Sequence, residues 1–319
     1  MTSAALKGKT VRVFAPATVA NVGSGFDIFG FALNVPGDEV NLVVEKNPGV
    51  RIREISGDDG LLPTVAENNT AGVSLQAMLK SIKADFGVSF DLHKKMPVGS
   101  GLGSSAASSV ASIFALNCLL DQPLSKNELL QFAIEGEKIT SGERIHMDNI
   151  AACLYGGFIL VRSSMTRDIV SIPTPDELYC TIIHPQINIK TSESRRILKK
   201  QISLDMAITQ WGNAAGMIAA LFKQDFDLLR RSLKDVVAEP VRSMLIPYFQ
   251  ELNSAALDTG AIGCSISGSG PSVFALSEGI KRATNVGAAF KSVLDAHDVD
   301  NDVFVSAINK EGPRILNKA

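Results

Sequence analysis

The segment Gly99-Ser-Gly-Leu-Gly-Ser-Ser105 sets three glycines and three serines ahead of an apolar run that ends at Leu120. Glycine lets backbone amides approach a ligand closely. A helix opening at the end of such a loop adds unpaired N–H groups and the positive end of its dipole. The chemistry this suits is the holding of phosphate oxygens. A P-loop would need Lys-Ser/Thr after the last glycine, and here Ser104-Ser105 follow Gly103 with no lysine. The dinucleotide pattern GxGxxA is met by Gly101, Gly103 and Ala106, with Asp121 at about the right distance. That acid should end a second strand, but Asp121 sits in the turn DQPLSKNELL, which opens another helix. A serine cap on a flexible turn is the plain alternative. The whole stretch Pro97–Leu120 is uncharged, which raises a membrane span. Six serines interrupt it, and its unbroken apolar part has the length of a core helix.

Periodicity supplies the elements that must position this loop. Strands are predicted at Val11–Ala15, Glu39–Lys46, Ser89–His93 and Phe158–Arg162, with Pro16–Gly30 a stretch of glycine and turn formers. Helices are predicted at Thr70–Lys83, Ser104–Leu120 and Leu129–Ile139. The polar, Pro-containing stretch Ser163–Glu177 suggests a boundary near Ser164, hence domains 1–163 and 164–319. Beyond it come a strand from Tyr179 to His184 and helical patterns at Glu193–Lys200, Asp205–Phe222, Phe226–Val237 and, after Pro240, Val241–Leu257. A strand–loop–strand signal spans Gly260–Ala275, followed by a helix near Ala283–Ala296 and a strand at Asp302–Ala307. Strands and helices interleave without strict βαβ alternation, which predicts an α+β protein.

Composition narrows the function. The chain has 319 residues, 45% apolar and 20% charged, with a formal net charge of -2. Nothing in that balance suggests general affinity for nucleic acid or an anionic membrane. Cys118, Cys153, Cys180 and Cys264 are scattered, so neither a zinc knuckle nor a CxxC pair exists, and a reducing, cytoplasmic setting is expected. Lys7 and Lys9 could imitate the start of a secretory signal, but Arg12 and Pro16 interrupt the apolar segment such a signal needs.

The longer string Pro97-x-x-x-Gly-Leu-Gly-Ser-Ser-Ala-Ala107 resembles the phosphate-binding motif of the GHMP kinases (galactokinase, homoserine kinase, mevalonate kinase and phosphomevalonate kinase). Pro16–Gly30 (PATVANVGSGFDIFG) resembles the first motif of the homoserine-kinase branch, with Val19 and Ser24 departing mildly. Ser267-Gly-Ser-Gly-Pro-Ser272 resembles the family's third motif. His146-Met-Asp-Asn149 and Ala238-Glu-Pro-Val-Arg242 also look like that branch, and the resemblance runs in order from Pro16 to Pro271. Glu143 and Arg144 add charge and length to the Gly142–His146 connection, which departs from the family pattern.

The resemblance implies a two-domain fold: an N-terminal α+β domain with a left-handed βαβ unit, and a C-terminal ferredoxin-like α+β domain. It implies ATP and Mg²⁺ as cofactors and L-homoserine as substrate, in a homodimer. Pro97, Gly99, Ser100, Gly101, Leu102, Gly103, Ser104 and Ser105 would wrap the ATP phosphates. Ser105 and Glu137 would hold the metal, with Ser104 and Glu135 as their respective alternatives. Arg195 and Arg242 would clamp the substrate carboxylate, because an arginine fork bonds two oxygens at once, and Arg196 competes with Arg195. Asp27 would take the ammonium, with a turn-stabilising aspartate as the bland reading. Asn149 would hold the hydroxyl; Asn21, His146 and Gly268 complete the substrate site, and Asp148 is a candidate base. Two rival functions remain: another small-molecule kinase of the family acting on an isoprenoid precursor, and a catalytically silent nucleotide-binding regulator. Isoprenoid precursors have no ammonium for Asp27 to meet, and retention of Glu137, both serines and the glycine loops opposes the silent reading.

Overall fold

The computed structural model describes residues 6–141, 146–187, 189 and 191–319. Two sheets form the frame. Among the described residues the first has seven strands. Its spine is β1 (Thr10–Ala20), β2 (Phe29–Glu45), β3 (Gly49–Ser56) and β4 (Gly87–His93), in the spatial order β1-β2-β4-β3. The strand β5 (Phe158–Ser163) pairs with β2, and β6 (Asp168–Ile172) pairs with β5. The parallel pair β3–β4 is bridged by helix α1 (Thr70–Ser81). The last strand of the chain, β11 (Arg314–Lys318), returns to lie antiparallel beside β1.

Three further helices belong to this half: α2 (Ser104–Leu119), α3 (Lys126–Ser141) and α4 (Met147–Tyr155). Helix α2 carries no charged residue and buries Ala106, Ala107, Val110, Ile113 and Leu116 among its neighbours. It is therefore a core helix. No helix among the described residues is long and apolar enough to cross a membrane.

The second sheet contains β7 (Leu178–Pro185), β8 (Gly263–Ile266), β9 (Val273–Glu278) and β10 (Asn301–Ala307), all antiparallel, in the order β10-β7-β9-β8. Counted along this half the order is 4-1-3-2. Helices precede β8 and helix α10 (Ile280–Asp295) precedes β10, which is the ferredoxin-like β-α-β-β-α-β arrangement. Between β7 and β8 lie α5 (Thr191–Arg196), α6 (Leu204–Lys223), α7 (Phe226–Ser232), α8 (Glu239–Arg242) and α9 (Phe249–Asp258). Phe31 of the first sheet lies 4.6 Å from Phe158 and 6.0 Å from Phe274 of the second, ring centre to ring centre. One continuous core thus joins the halves.

The structure departs from the periodicity reading at several places. Strand β1 continues past Pro16, where the register with β2 shifts, so proline sits at an irregularity and not inside a regular ladder. Strand β2 starts at Phe29, ten residues before the predicted one at Glu39. The helix predicted to Lys200 ends at Arg196, and the one predicted to Val237 ends at Ser232. The pattern Val241–Leu257 is two helices, because Pro247 follows a tight turn at Ser243–Leu245. The expected boundary at Ser164 falls inside the β5–β6 hairpin; sheet membership changes between Ile172 and Leu178, and β11 rejoins the first sheet. The extra charge at Glu143 and Arg144 lies outside the described residues.

Candidate active site

The three glycine-bearing segments meet at one place. Thr18 N–H donates to the Leu102 carbonyl at 3.0 Å, and Gly268 N–H to Ala20 at 3.0 Å. The Ser267 hydroxyl donates to the Gly101 carbonyl at 2.8 Å, and Ser272 N–H to Ser100 at 3.3 Å. The loop between β4 and α2 is thereby held on both sides. Gly101 and Gly103 have φ of 81° and 68°, which glycine adopts without strain. A side chain at Gly101 would lie 2.6 Å from the Ser267 carbonyl oxygen. Gly103 is the N-cap of α2 and contributes no side-chain cap, so the first amides of the helix stay available. The Ser100 hydroxyl is buried without a hydrogen-bond partner among the described residues. Open amides, an orphaned hydroxyl and a helix N-terminus together fit a group rich in acceptor oxygens.

Behind the loop the Ser105 hydroxyl donates to both Glu137 oxygens, at 3.1 and 2.9 Å. His146 Nδ1 lies 3.5 Å from the same carboxylate. One carboxylate and one hydroxyl beside this glycine loop fit Mg²⁺, which takes few protein ligands and completes its shell with phosphate oxygens and water. Glu135 faces away and pairs with Lys138 at 2.6 Å.

The far end of the cavity is charged. Arg195 donates to Asp27 through both terminal guanidinium nitrogens, Nη1 and Nη2, at 3.3 and 3.1 Å. Arg242 is buried behind them, with Phe26 stacked 4.8 Å from its guanidinium. It donates to the carbonyls of Ser194, at 3.3 Å, and Gly268, at 3.0 Å. Burial pulls its pKa down to about 10, which keeps it charged at neutral pH. Asn21 donates to the Gly268 carbonyl at 2.7 Å and accepts from Asp27 N–H at 2.8 Å, so it holds the Asp27 turn. Both Asn21 and Asp27 have left-handed backbones, with φ of 58° and 59°. Asp148, at the start of α4, is buried; burial first, then the nearby Asp27 charge, raise its carboxyl to about 6. Beside it, Asn149 accepts a hydrogen bond from Thr18 Oγ1 at 2.7 Å, which turns its NH₂ toward the cavity. The cavity measures about 300 Å³.

The family model for the GHMP kinases N terminal domain matches residues 69–157, and that for GHMP kinases C terminal matches residues 217–296. A homoserine kinase of Chlorobium phaeobacteroides is 46% identical over 97% of this chain and 100% of its own length. One from Xylella fastidiosa is 37% identical over 96% of this chain and 94% of its own. This chain belongs to the GHMP kinase family. The crystal structure of homoserine kinase from Cytophaga hutchinsonii superposes with a TM-score of 0.94 at 51% identity, covering 96% of this chain and 97% of that one. L. major mevalonate kinase in complex with R-mevalonate shares the fold at a TM-score of 0.74 and 20% identity, covering 95% and 98%.

In this GHMP kinase the cavity wall includes Asn21, Asp27, Gly99, Ser100, Gly101, Gly103, Ser104, Ser105, Glu137, His146, Asp148, Asn149, Arg195, Arg242 and Gly268 of the residues singled out from sequence. Pro97 and Leu102 stay outside it. The Leu102 side chain is in the core, and only its carbonyl serves the loop. Arg196 is exposed and does not reach the cavity. Sequence reasoning missed Lys94 and Thr18. Lys94 is buried against Asp38 and donates to the Ser104 carbonyl and Ser108 hydroxyl, both at 2.9 Å, which anchors the first turn of α2. The only sequence signal for Lys94 was its place between a strand and the loop.

Proposed function

We propose that this GHMP kinase is an ATP-dependent homoserine kinase: it transfers the γ-phosphoryl group of ATP to the hydroxyl of L-homoserine, giving O-phospho-L-homoserine on the way to threonine. The observation that carries this reading is the charge pattern beside the phosphate loop, where Asp27 meets Arg195 in front of Arg242. One acid and two bases match an amino-acid zwitterion. Mevalonate and sugars bring no ammonium for Asp27.

Phosphoryl transfer needs positioning and charge neutralisation more than covalent help from the protein. The α2 amides and the Ser100 hydroxyl receive the phosphates. Ser105 and Glu137 would hold Mg²⁺, which when bound neutralises charge on the phosphates. Homoserine enters by exchanging the Asp27–Arg195 pair for its own charges: ammonium on Asp27, carboxylate on Arg195 and Arg242. Asn149, its carbonyl oxygen engaged by Thr18, offers N–H to the acceptor hydroxyl oxygen. Asp148 borders the same space and takes the proton that this hydroxyl releases. The scattered free cysteines support a cytoplasmic setting, and we take the working form to be a homodimer.

The deciding experiment is a coupled ADP-release assay over homoserine, mevalonate, galactose and threonine. Turnover with homoserine alone is expected; equal turnover with mevalonate moves the activity elsewhere in the family.

A further inference from the structure

Asp27 and Arg242, at the charged end of the cavity, come from different halves of the chain: Asp27 from the β1–β2 connection, Arg242 from α8. An α-amino acid carries its ammonium and its carboxylate on one carbon, so the spacing of these two side chains decides which substrates fit. Their direct link is the Gly268 carbonyl, which accepts from Arg242 and from Asn21, the residue that holds the Asp27 turn. One shared acceptor is a pivot. A second tie is needed to fix the angle about it.

That tie lies on α6, outside the cavity wall. Gln210 Nε2 donates to the Ser24 carbonyl and to the Asp235 carboxylate, both at 2.9 Å. Its Oε1 accepts from Val236 N–H at 3.0 Å. Asp235 in turn accepts from the amides of Val237, Ala238 and Glu239, at 2.7 to 3.2 Å, and so fixes the turn that opens α8. Ser24, where the chain departs from the family's first motif, adds a bond from its hydroxyl to the Ser232 carbonyl at 3.0 Å. Gly23 rests on the same segment: a side chain there would lie 1.9 Å from the Leu233 carbonyl oxygen. Ser24 and Asp235 are buried, so a partner removed from either leaves a polar atom stranded away from water. One side-chain amide thus joins the Asp27 turn to the Arg242 helix at a point distinct from Gly268. We propose that Gln210 is a positioning residue: with Asp235 it braces the Asp27 turn against α8 and sets the spacing that selects an α-amino acid. The proposal rests on the homoserine-kinase reading of the site.

Gln210→Met keeps the side-chain length and deletes all three bonds. Gln210→Glu keeps the acceptor for Val236 and deletes the two donated bonds. Both should match wild-type circular dichroism. Each should raise the homoserine KM by about tenfold while leaving kcat and the ATP KM within about twofold, because the brace acts on how the acceptor is held. Bonds that only stabilised the fold would leave KM alone. Selectivity is the sharper readout. The homologue 3-amino-5-hydroxypentanoate has one more methylene between the ammonium-bearing carbon and the carboxylate. Wild type should reject it, and the kcat/KM preference for homoserine over it should fall by about tenfold in both variants. Hydrogen exchange supplies a measure that needs no substrate: in Gln210→Met, residues 22–28 and 235–239 should both exchange faster than in wild type. Unchanged homoserine KM and selectivity in the folded variants, or faster exchange in 235–239 alone, overturns the brace. Absence of homoserine turnover in wild type instead sinks the kinase reading, and hydrogen exchange then decides the brace by itself.

Discussion

Glu137 and Glu135 are two residues apart on one helix and have opposite surroundings, which makes them a matched test. Glu137→Ala removes the buried carboxylate that Ser105 addresses, so turnover should fall by orders of magnitude with the fold retained. Glu135→Ala removes an exposed partner of Lys138 and should leave activity near wild type. Steady-state assays of the two proteins at varied Mg²⁺ check this. Arg195→Ala removes one of the two arginines proposed to clamp the substrate carboxylate, and the loss in homoserine kcat/KM should be on the order of 30- to 1000-fold, from roughly 2–4 kcal/mol. Wild type should reject the carboxyl-reduced diol 2-amino-1,4-butanediol, and the variant should reject it far less. Asp148 pulls stability and activity in opposite directions. Its folded pKa of about 6 lies above the ordinary aspartate value of 3.8, so the folded state binds the proton more tightly than the unfolded state. Its stabilising contribution is present in acid and is lost as pH rises through about 6. As a proton acceptor it must be ionised, so kcat should fall as pH drops below about 6. Asp148→Asn should abolish that limb and also remove a pH-dependent loss of stability of about 3 kcal/mol between acid and neutral pH, read in urea titrations.

Among the elements, α2 and its loop are the most sensitive to change. Gly103 ends the glycine loop and begins α2, and a side chain there would lie 2.0 Å from Thr18 Oγ1 and 2.8 Å from Asn149 Oδ1. Gly103→Ala should therefore damage nucleotide affinity and acceptor positioning together. Thr18→Val should lower kcat while calorimetry finds the ATP Kd unchanged, because it loosens only the Asn149 amide. The loop and α2 were legible in the sequence because glycine spacing and an uninterrupted apolar run each have one cheap structural solution. Thr18 and Lys94 were not, since each is a single polar residue whose meaning depends on a neighbour far along the chain or on the fold around it. Strand β11 is exposed along its whole length and β6 along much of it, so neither carries an alternating pattern. Helix α4 is nearly all buried, which erases the helical period that would have announced it. The split near Pro247 was visible in the residue itself, whose missing N–H breaks a helix whatever the surrounding period.

At the scale of the whole molecule, the first sheet is closed by the last residues of the chain: Thr10 and Ala319 exchange backbone hydrogen bonds at 2.8 and 3.0 Å. Truncation before Arg314 should strip β1 of this partner and expose Phe14, which Arg314 covers at 4.1 Å. Because β11 is itself exposed, the loss of thermodynamic stability should be modest, while the bare β1 edge should raise aggregation on heating, as light scattering would record. Unchanged scattering would show that the edge is protected by other means. The arrangement also sets an order of events during synthesis. Strand β1 ends at Ala20 and its outer neighbour begins only at Arg314, so at roughly 5–20 residues per second the edge waits some tens of seconds for that partner during synthesis. For that interval the nascent chain carries an adhesive seam, and neighbouring ribosomes on one message hold identical copies of it within reach. Strand β11 is then a clasp that fastens late, and its timing bears on how much of the protein escapes aggregation.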